Sequence, residues 1–490
     1  MKPASVPFIS IIVLLITACT TASQSETKSG HTLVVANQIQ ASWVEIGEQG
    51  QAIARVVTES VNCPDLNQDG TLVAMRTRAE PANLAQRPVS STNATPSSEK
   101  PAAFPVLICE LPLKPGISAA SIGGKPLPLP KSAPLRILVL GDTGCRLKAE
   151  GNAFQLCNDD EKWAFRTVAK TAAAFTPDLV IHVGDYHYRE SPCPDGVSAC
   201  RDSPWGYGWD AWQADFFRPA APLLDAAPWV FTRGNHESCS RAGEGWWRFL
   251  DPRRLQQGRD CIRVNDDMQG TQGTQGTQGT QDKQGDFSAP YAVPLGGGSQ
   301  LIVFDSSKAS GKPLAKSDPI YSIYQEQFNQ VDQLAQQADF SIFISHHPVL
   351  GFAPEKGNSG GVIVRPGNPA LQSVLAEKCP QRLFDPNIQL LLAGHVHLFE
   401  AITFQTDHPM QIVSGNGGSS PDADLPVKLP DLATPFDQAR VAYFNSTSQS
   451  GFMTMERPSA ASSDWTLKSW DKNGVLLTTC FVSKAKKDCS

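Results

Sequence analysis

The chain has 490 residues, 41% hydrophobic and 18% charged, and its 42 basic and 48 acidic side chains leave a formal net charge of −6. This is a globular balance, long enough for two or three domains of about 100–200 residues each. It excludes binding to nucleic acid through a basic face, so a phosphorylated partner has to be held locally, by metals or a few placed groups.

Lys2 and the apolar stretch 6–16 come first. The stretch is too short to span a bilayer as a helix and reads as a secretory signal over 1–18. It ends in Ile16-Thr17-Ala18-Cys19, with a polar tether following over 20–30. These residues resemble the bacterial lipoprotein cleavage box, which implies that Cys19 is lipidated and that its acyl chains hold the protein to a membrane. Thr20, rather than an aspartate, points to the outer membrane, on its periplasmic or cell-surface side. A plain secretory signal with a chance cysteine is the alternative.

Setting Cys19 aside leaves an odd number of the 12 cysteines. Export makes disulfides the default, and sequence neighbours suggest Cys145–Cys157, Cys193–Cys200, Cys239–Cys261 and Cys480–Cys489. Cys63–Cys109 would staple the N-terminal region, and Cys379 is left over. A cysteine metal site is disfavoured because no Cys-x-x-Cys pair occurs.

Residues 31–130 read as a small β-sandwich-like domain with a linker. Its candidate strands lie at 32–35, 53–57, 72–76 and 106–110, with a loop over 87–105 and a stiff proline-rich connection over 123–130. Residues 131–490 alternate β and α patterns. Strands are expected at 136–140, 179–183, 229–232, 301–304, 340–344 and 388–392. Helices are expected at 161–175 capped by Asp160, at 209–224 broken at Pro219, and at 320–335. The tail 451–481 returns to β patterning. A Gln-Gly-Thr repeat within about 268–285 has nothing to bury and reads as a disordered surface loop. Alternating elements argue for a layered α/β domain.

Five short blocks follow predicted strands, where α/β folds place their sites. They are Gly141-Asp142-Thr143-Gly144, Gly184-Asp185-Tyr186-His187-Tyr188, Gly234-Asn235-His236-Glu237, Ser345-His346-His347-Pro348 and Gly394-His395-Val396-His397. Two aspartates, an asparagine, several histidines and a tyrosine form a hard-to-borderline donor set, suited to iron, zinc or manganese. There are too many donors for one ion and enough for two.

In this order the blocks resemble the calcineurin-like metallophosphoesterases. Two details resemble the purple acid phosphatase branch: Gly144 stands where the wider superfamily has a histidine, and Tyr188 follows Asp185 by three. The resemblance implies a four-layer α/β/β/α fold. It also implies one metal held by Asp142, Asp185, Tyr188 and His397, and a second by Asp185, Asn235, His346 and His395. The tyrosine implies Fe(III) beside a divalent zinc, iron or manganese ion. Such a centre hydrolyses phosphate monoesters of small substrates through a metal-bridging hydroxide. His236 is the first choice for the acid at the leaving group, with Glu237 to orient it and with His187 and His347 in reserve. A phosphodiesterase is the alternative within enzymes. A non-catalytic surface binding protein would need a missing ligand, and none is missing.

Overall fold

The structure is a computed structural model that describes residues 1, 38–84, 100–256, 259–261, 285–357 and 360–490. The signal segment, Cys19 and its tether, the candidate strand 32–35, part of the 87–105 loop and the Gln-Gly-Thr repeat lie outside the described residues.

The larger of two main sheets contains the strands β1 (Ile39–Ile46), β2 (Ala52–Thr58), β3 (Arg76–Ala79), β4 (Leu107–Pro112), β5 (Arg136–Leu140), β6 (Leu179–His182) and β7 (Trp229–Phe231). The other main sheet holds β8 (Tyr291–Gly296), β9 (Ser299–Val303), β10 (Phe340–Ile344), β11 (Ile388–Ala393), β12 (Phe399–Phe404), β13 (Met410–Ser414) and β14 (Val441–Thr447). The chain then returns to the larger sheet as β15 (Gly451–Glu456), β16 (Trp465–Asp471), β17 (Leu476–Val482) and β18 (Lys487–Cys489). Strand orders are β18-β17-β16-β15-β5-β6-β7-β1-β2-β4-β3 and β8-β9-β10-β11-β13-β12-β14. The neighbours β5, β6 and β7 run parallel, as do β9, β10 and β11.

Alternation along the strands sorts side chains into layers. Ile137 and Val139 of β5 join Ile342, Ile344, Leu390 and Leu392 in the core between the sheets. Leu138 and Leu140 face the other way, into a core shared with Phe165, Val168, Ala169 and Ala172 of α1 (Phe165–Ala173) and Ala220, Leu223 and Leu224 of α2 (Arg218–Leu224). On the far side of the second sheet, Ile302, Phe343 and Leu391 pack on Tyr324, Phe328 and Val331 of α3 (Pro319–Ala335) and on Leu371, Val374 and Leu375 of α4 (Pro369–Lys378). The result is the expected α/β/β/α stack.

Several local expectations shift. The first helix begins at Phe165, not 161, because Asp159 rather than Asp160 ties the preceding turn through Glu161 N–H. The helix expected to break at Pro219 stays continuous. A π turn, Gln213–Phe217, leads directly into α2, and this local change of hydrogen-bond spacing accommodates the N–H missing at Pro219. Part of the expected 87–105 loop is a strand, Ala102–Phe104, paired with Ala82–Leu84.

The N-terminal β-rich region is present: four of its strands extend the larger sheet, β1 pairing in parallel with β7 at Glu45 and Trp229, while Asp65–Gln68, Thr71–Ala74, Ala120–Ile122 and Lys125–Pro126 form a sheet of their own. Residues Thr32–Ser490 form one compact unit. A buried ion network joins this region to the segment after β7. Arg55 bonds Glu45 and the Phe249 and Asp251 carbonyls, while Arg78 bonds Glu110 and the Trp247, Arg248 and Arg253 carbonyls. All five expected disulfides form, and Cys379 is free. Among the described residues, no helix is long and apolar enough to cross a membrane.

Candidate metal centre

The parallel strands bring their carboxyl ends to one edge of the stack. Asp142 follows β5, Asp185 follows β6, Asn235 follows β7, His346 follows β10, and His395 and His397 follow β11. Asp142, Asp185 and His395 take left-handed backbone, with φ of 55°, 57° and 71°. Non-glycine residues pay for that conformation, and it concentrates where function requires it. The turn at Gly234 is obligatory for a different reason, since a Cβ there would lie 2.1 Å from Asp185 Oδ1.

The expected donors meet. Tyr188 Oη lies 2.9 Å from Asp142 Oδ1, 2.8 Å from Asp185 Oδ2 and 2.7 Å from His397 Nε2. On the other side of Asp185, His346 Nε2 is 3.2 Å from Asp185 Oδ2 and 3.0 Å from Asn235 Oδ1, and His395 Nδ1 is also 3.0 Å from Asn235 Oδ1. Ligand atoms of Asp185, His346 and His395 all fall within 4.8 Å of one another. Asp142, Asp185, Tyr188 and His346 are buried, whereas His395 is open to solvent.

This arrangement fits cations. A phenol has one proton, so Tyr188 cannot satisfy three acceptors at once. His346 is held through Nδ1 by the Val183 carbonyl, 2.9 Å away, which turns Nε2 toward the oxygens of Asp185 and Asn235. Lone pairs facing lone pairs at 3 Å call for positive charge between them. In the chain alone the same place is filled by a proton: burial disfavours both charges, yet His346 draws Asp185 well below the carboxylate range and Asp185 lifts His346 to about 9, an ion pair that a bound cation would replace. Burial and the two aspartates raise Tyr188 well above an ordinary phenol.

The three histidines considered for acid catalysis separate. His236 lies at the site, its ring centre 3.9 Å from that of Tyr188 and its Nε2 3.8 Å from Asp185 Oδ2. Its Nδ1 is 3.0 Å from the His187 carbonyl and 3.2 Å from Glu190 Oε1, and Glu190 in turn pairs with Arg241. Burial, with Arg241 beside it, lowers His236 to about 4. The His187 ring does not reach the donors: it is buried against Tyr207 and Trp212, and the residue serves the site through its backbone. The His347 ring packs against that of His395, centres 4.1 Å apart and tilted by 41°, and bonds Ser306 Oγ at 3.1 Å, so it supports a candidate ligand from behind. Glu237, expected to orient His236, instead accepts the backbone N–H groups of Asp185, Tyr186, His187 and Gly234, and so holds the Asp185 loop.

Other residues here carried no sequence signal, being single polar side chains outside any motif. Asp215, in the insert before β7, accepts the backbone N–H groups of Cys145, Tyr188 and Arg189 and pairs with the Arg189 guanidinium. The insert therefore braces the site from beneath. Ser420 and Asp422 hold His397, accepting from its Nδ1 at 2.7 Å and its backbone N–H at 3.0 Å. Arg146 Nη2 lies 3.0 Å from His397 Nδ1.

Residues 135–399 match the family profile of the calcineurin-like phosphoesterases. No curated protein sequence matches the chain. Among solved structures, a purple acid phosphatase isolated from yellow lupin (Lupinus luteus) seeds superposes with a TM-score of 0.52 at 15% identity, covering 90% of this chain and 74% of that one. PhoD superposes with a TM-score of 0.49 at 12% identity, covering 92% and 91%. The matched segment contains all five blocks, on a fold shared with the lupin enzyme. The chain belongs to the calcineurin-like phosphoesterase family and is a metal-dependent phosphoric ester hydrolase.

Proposed function

We propose that the protein hydrolyses phosphate monoesters of small substrates at a dinuclear metal centre, as an acid phosphatase of the purple type. The observation that carries this reading is the division of the donors into two groups sharing Asp185. Asp142, Tyr188 and His397 stand on one side, and Asn235, His346 and His395 on the other. The phenol favours Fe(III) on its own side, and the nitrogen-rich group suits divalent zinc, iron or manganese. When bound, such a pair supplies positive charge for the phosphoryl oxygens and an acidified water as nucleophile.

The chain's own residues do the rest. His395, open to solvent, faces an entering ester. Glu190 and the His187 carbonyl fix the His236 ring by accepting from Nδ1, which leaves Nε2 to carry a proton to the leaving oxygen only when the ring takes up a second one. Glu237 and Asp215 lock the loops bearing Asp185 and Tyr188, so little reorganisation accompanies the reaction. The protein is further proposed to be exported and lipid-anchored at the outer membrane through Cys19. The five disulfides support an oxidising compartment.

The test is one purified, metal-loaded sample assayed for metal content, visible spectrum, and turnover of 4-nitrophenyl phosphate and bis(4-nitrophenyl) phosphate. Two metals per chain, a visible band lost in Tyr188→Phe, and faster monoester turnover are expected. A metal-replete sample that cleaves neither ester overturns the reading, and a diester preference overturns its monoester part.

A further inference from the structure

We infer that Arg146 is a substrate-binding residue whose guanidinium selects a phosphate dianion over a diester monoanion. The inference rests on the phosphoesterase reading above and extends it to the choice of substrate.

The first argument is place. Arg146 Nη2 lies 3.0 Å and 3.2 Å from the two ring nitrogens of His397, and the guanidinium carbon stands 5.6 Å from the centre of the Tyr188 ring. Tyr188 and His397 are buried, whereas Arg146 is half-exposed. Its charge is therefore beside those donors and in reach of an ester that comes from solvent.

The second is availability. The other arginines around the centre are neutralised by carboxylates: Arg189 by Asp215, Arg233 by Asp305 and Arg241 by Glu190. Among the described residues, no carboxylate lies within ion-pair distance of Arg146. A guanidinium carries five N–H donors in a planar fork, and among the described residues its side-chain neighbour is His397, whose Nδ1 already donates to the Ser420 carbonyl and whose Nε2 faces the metal donors, so it takes up none of them. These donors match two phosphoryl oxygens.

The third is a fixed base. The Arg146 N–H donates to Gln155 Oε1 at 3.0 Å, and its carbonyl accepts from Gln155 N–H at 2.7 Å. Cys145, one residue earlier, is bonded to Cys157. Gln155 is itself tied to the Lys162 and Gly418 carbonyls and to the Ser420 N–H. The backbone from which Arg146 projects is thus clamped to the loop that also holds His397. A charge anchored in this way discriminates by charge number. A monoester dianion offers two negative charges and three free oxygens, and a diester offers one charge and two.

The experiment compares wild type, Arg146→Lys and Arg146→Ala, each loaded with metal and checked for metal content. Inorganic phosphate affinity is measured by calorimetry, and kcat and KM are measured for 4-nitrophenyl phosphate and bis(4-nitrophenyl) phosphate. Arg146→Ala should weaken phosphate binding by about 10–100-fold, the range of a lost charged hydrogen bond. It should raise KM for the monoester more than it lowers kcat, and lower kcat/KM for the diester by only about 3–10-fold, since half the charge halves the Coulomb energy. Arg146→Lys should recover part of the phosphate affinity. Unchanged phosphate affinity in a metal-replete Arg146→Ala, or equal losses on both esters, overturns the inference while the hydrolase reading stands. If wild type cleaves neither ester, the hydrolase reading falls, and the phosphate titration alone decides the role of Arg146.

Discussion

A Cβ on Gly144 would lie 2.9 Å from Cδ2 of Tyr188, so the ring of the tyrosine occupies space that only glycine leaves open. The same Cβ would press on the Tyr186 carbonyl at 2.8 Å and on Asp215 Oδ2 at 2.9 Å. The two departures from the wider superfamily seen in the sequence, glycine at 144 and tyrosine at 188, are therefore one steric exchange. Gly144→Ala should destabilise the fold by about 1–3 kcal/mol, the usual range for overpacking. Combined with Tyr188→Ala it should cost less than the sum of the single changes. Denaturant unfolding of the four proteins in the cycle measures the coupling, and strict additivity would show that the ring does not depend on Gly144.

Glu190, not Glu237, holds the His236 ring. Glu190→Gln should slow alkyl phosphates, which need a proton on leaving, by about 10-fold or more, on the scale of acid catalysis. It should slow 4-nitrophenyl phosphate much less. A set of aryl and alkyl phosphates of graded leaving-group pKa measures the difference, and an equal loss across the set would place Glu190 in a structural role.

Removing metal leaves Asp142, Asp185 and the Tyr188 oxygen crowded in a buried pocket. The chelated protein should melt at a lower temperature and recover on adding back iron and zinc, because ions that bind only the folded chain stabilise it. Asp185→Asn should lose both the recovery and the second equivalent of metal, as Asp185 serves both donor groups. Thermal melts paired with elemental analysis decide this.

Glu400 offers a pH test away from the chemistry. Burial pushes its carboxyl from an ordinary 4.5 to about 8, offset only partly by the Phe352 N–H that it accepts. A carboxyl with a raised folded value contributes stability that is complete below 4.5 and lost as pH rises toward 8. The loss is at most about 1.4 kcal/mol per pH unit. Glu400→Gln should therefore flatten the fall in melting temperature between pH 5 and 8, measured against wild type. Parallel curves for the two proteins would refute a buried, proton-holding Glu400.

If Cys19 carries the acyl anchor, Cys19→Ser should move the protein from the membrane fraction to the soluble fraction without changing its specific activity. Fractionation with immunoblotting reads the outcome, and an unchanged membrane share would point to attachment elsewhere.

The ligand-bearing blocks were legible because each follows a short, mostly apolar strand such as Arg136–Leu140 or Phe340–Ile344, and strand ends are where such a sheet exposes side chains. The disulfide partners were legible from their spacing along the chain. Strand Ile39–Ile46 was not, since Glu45 interrupts its apolar pattern, and only the structure shows that charge satisfied by Arg55. Asp215, Glu190 and Arg146 were equally silent. Each acts across more than 25 residues of chain or on backbone groups, and no local spacing encodes that. His187 misled for the opposite reason. It stands between two functional neighbours, but with Asp185 and Tyr188 turned to the centre its ring falls among the aromatics.

The pairing of β1 with β7 has a consequence for how the molecule comes into being. The first hairpin leaves the ribosome, or the export channel, long before Trp229 does, so one rim of β1 must wait uncovered through the making of more than a third of the polypeptide. In a cell that threads this chain across a membrane unfolded, that interval is when escort by a holding chaperone matters most. It also means that trimming the N-terminal region to obtain a smaller enzyme would bare the flank of the very strand that delivers Asn235 and His236.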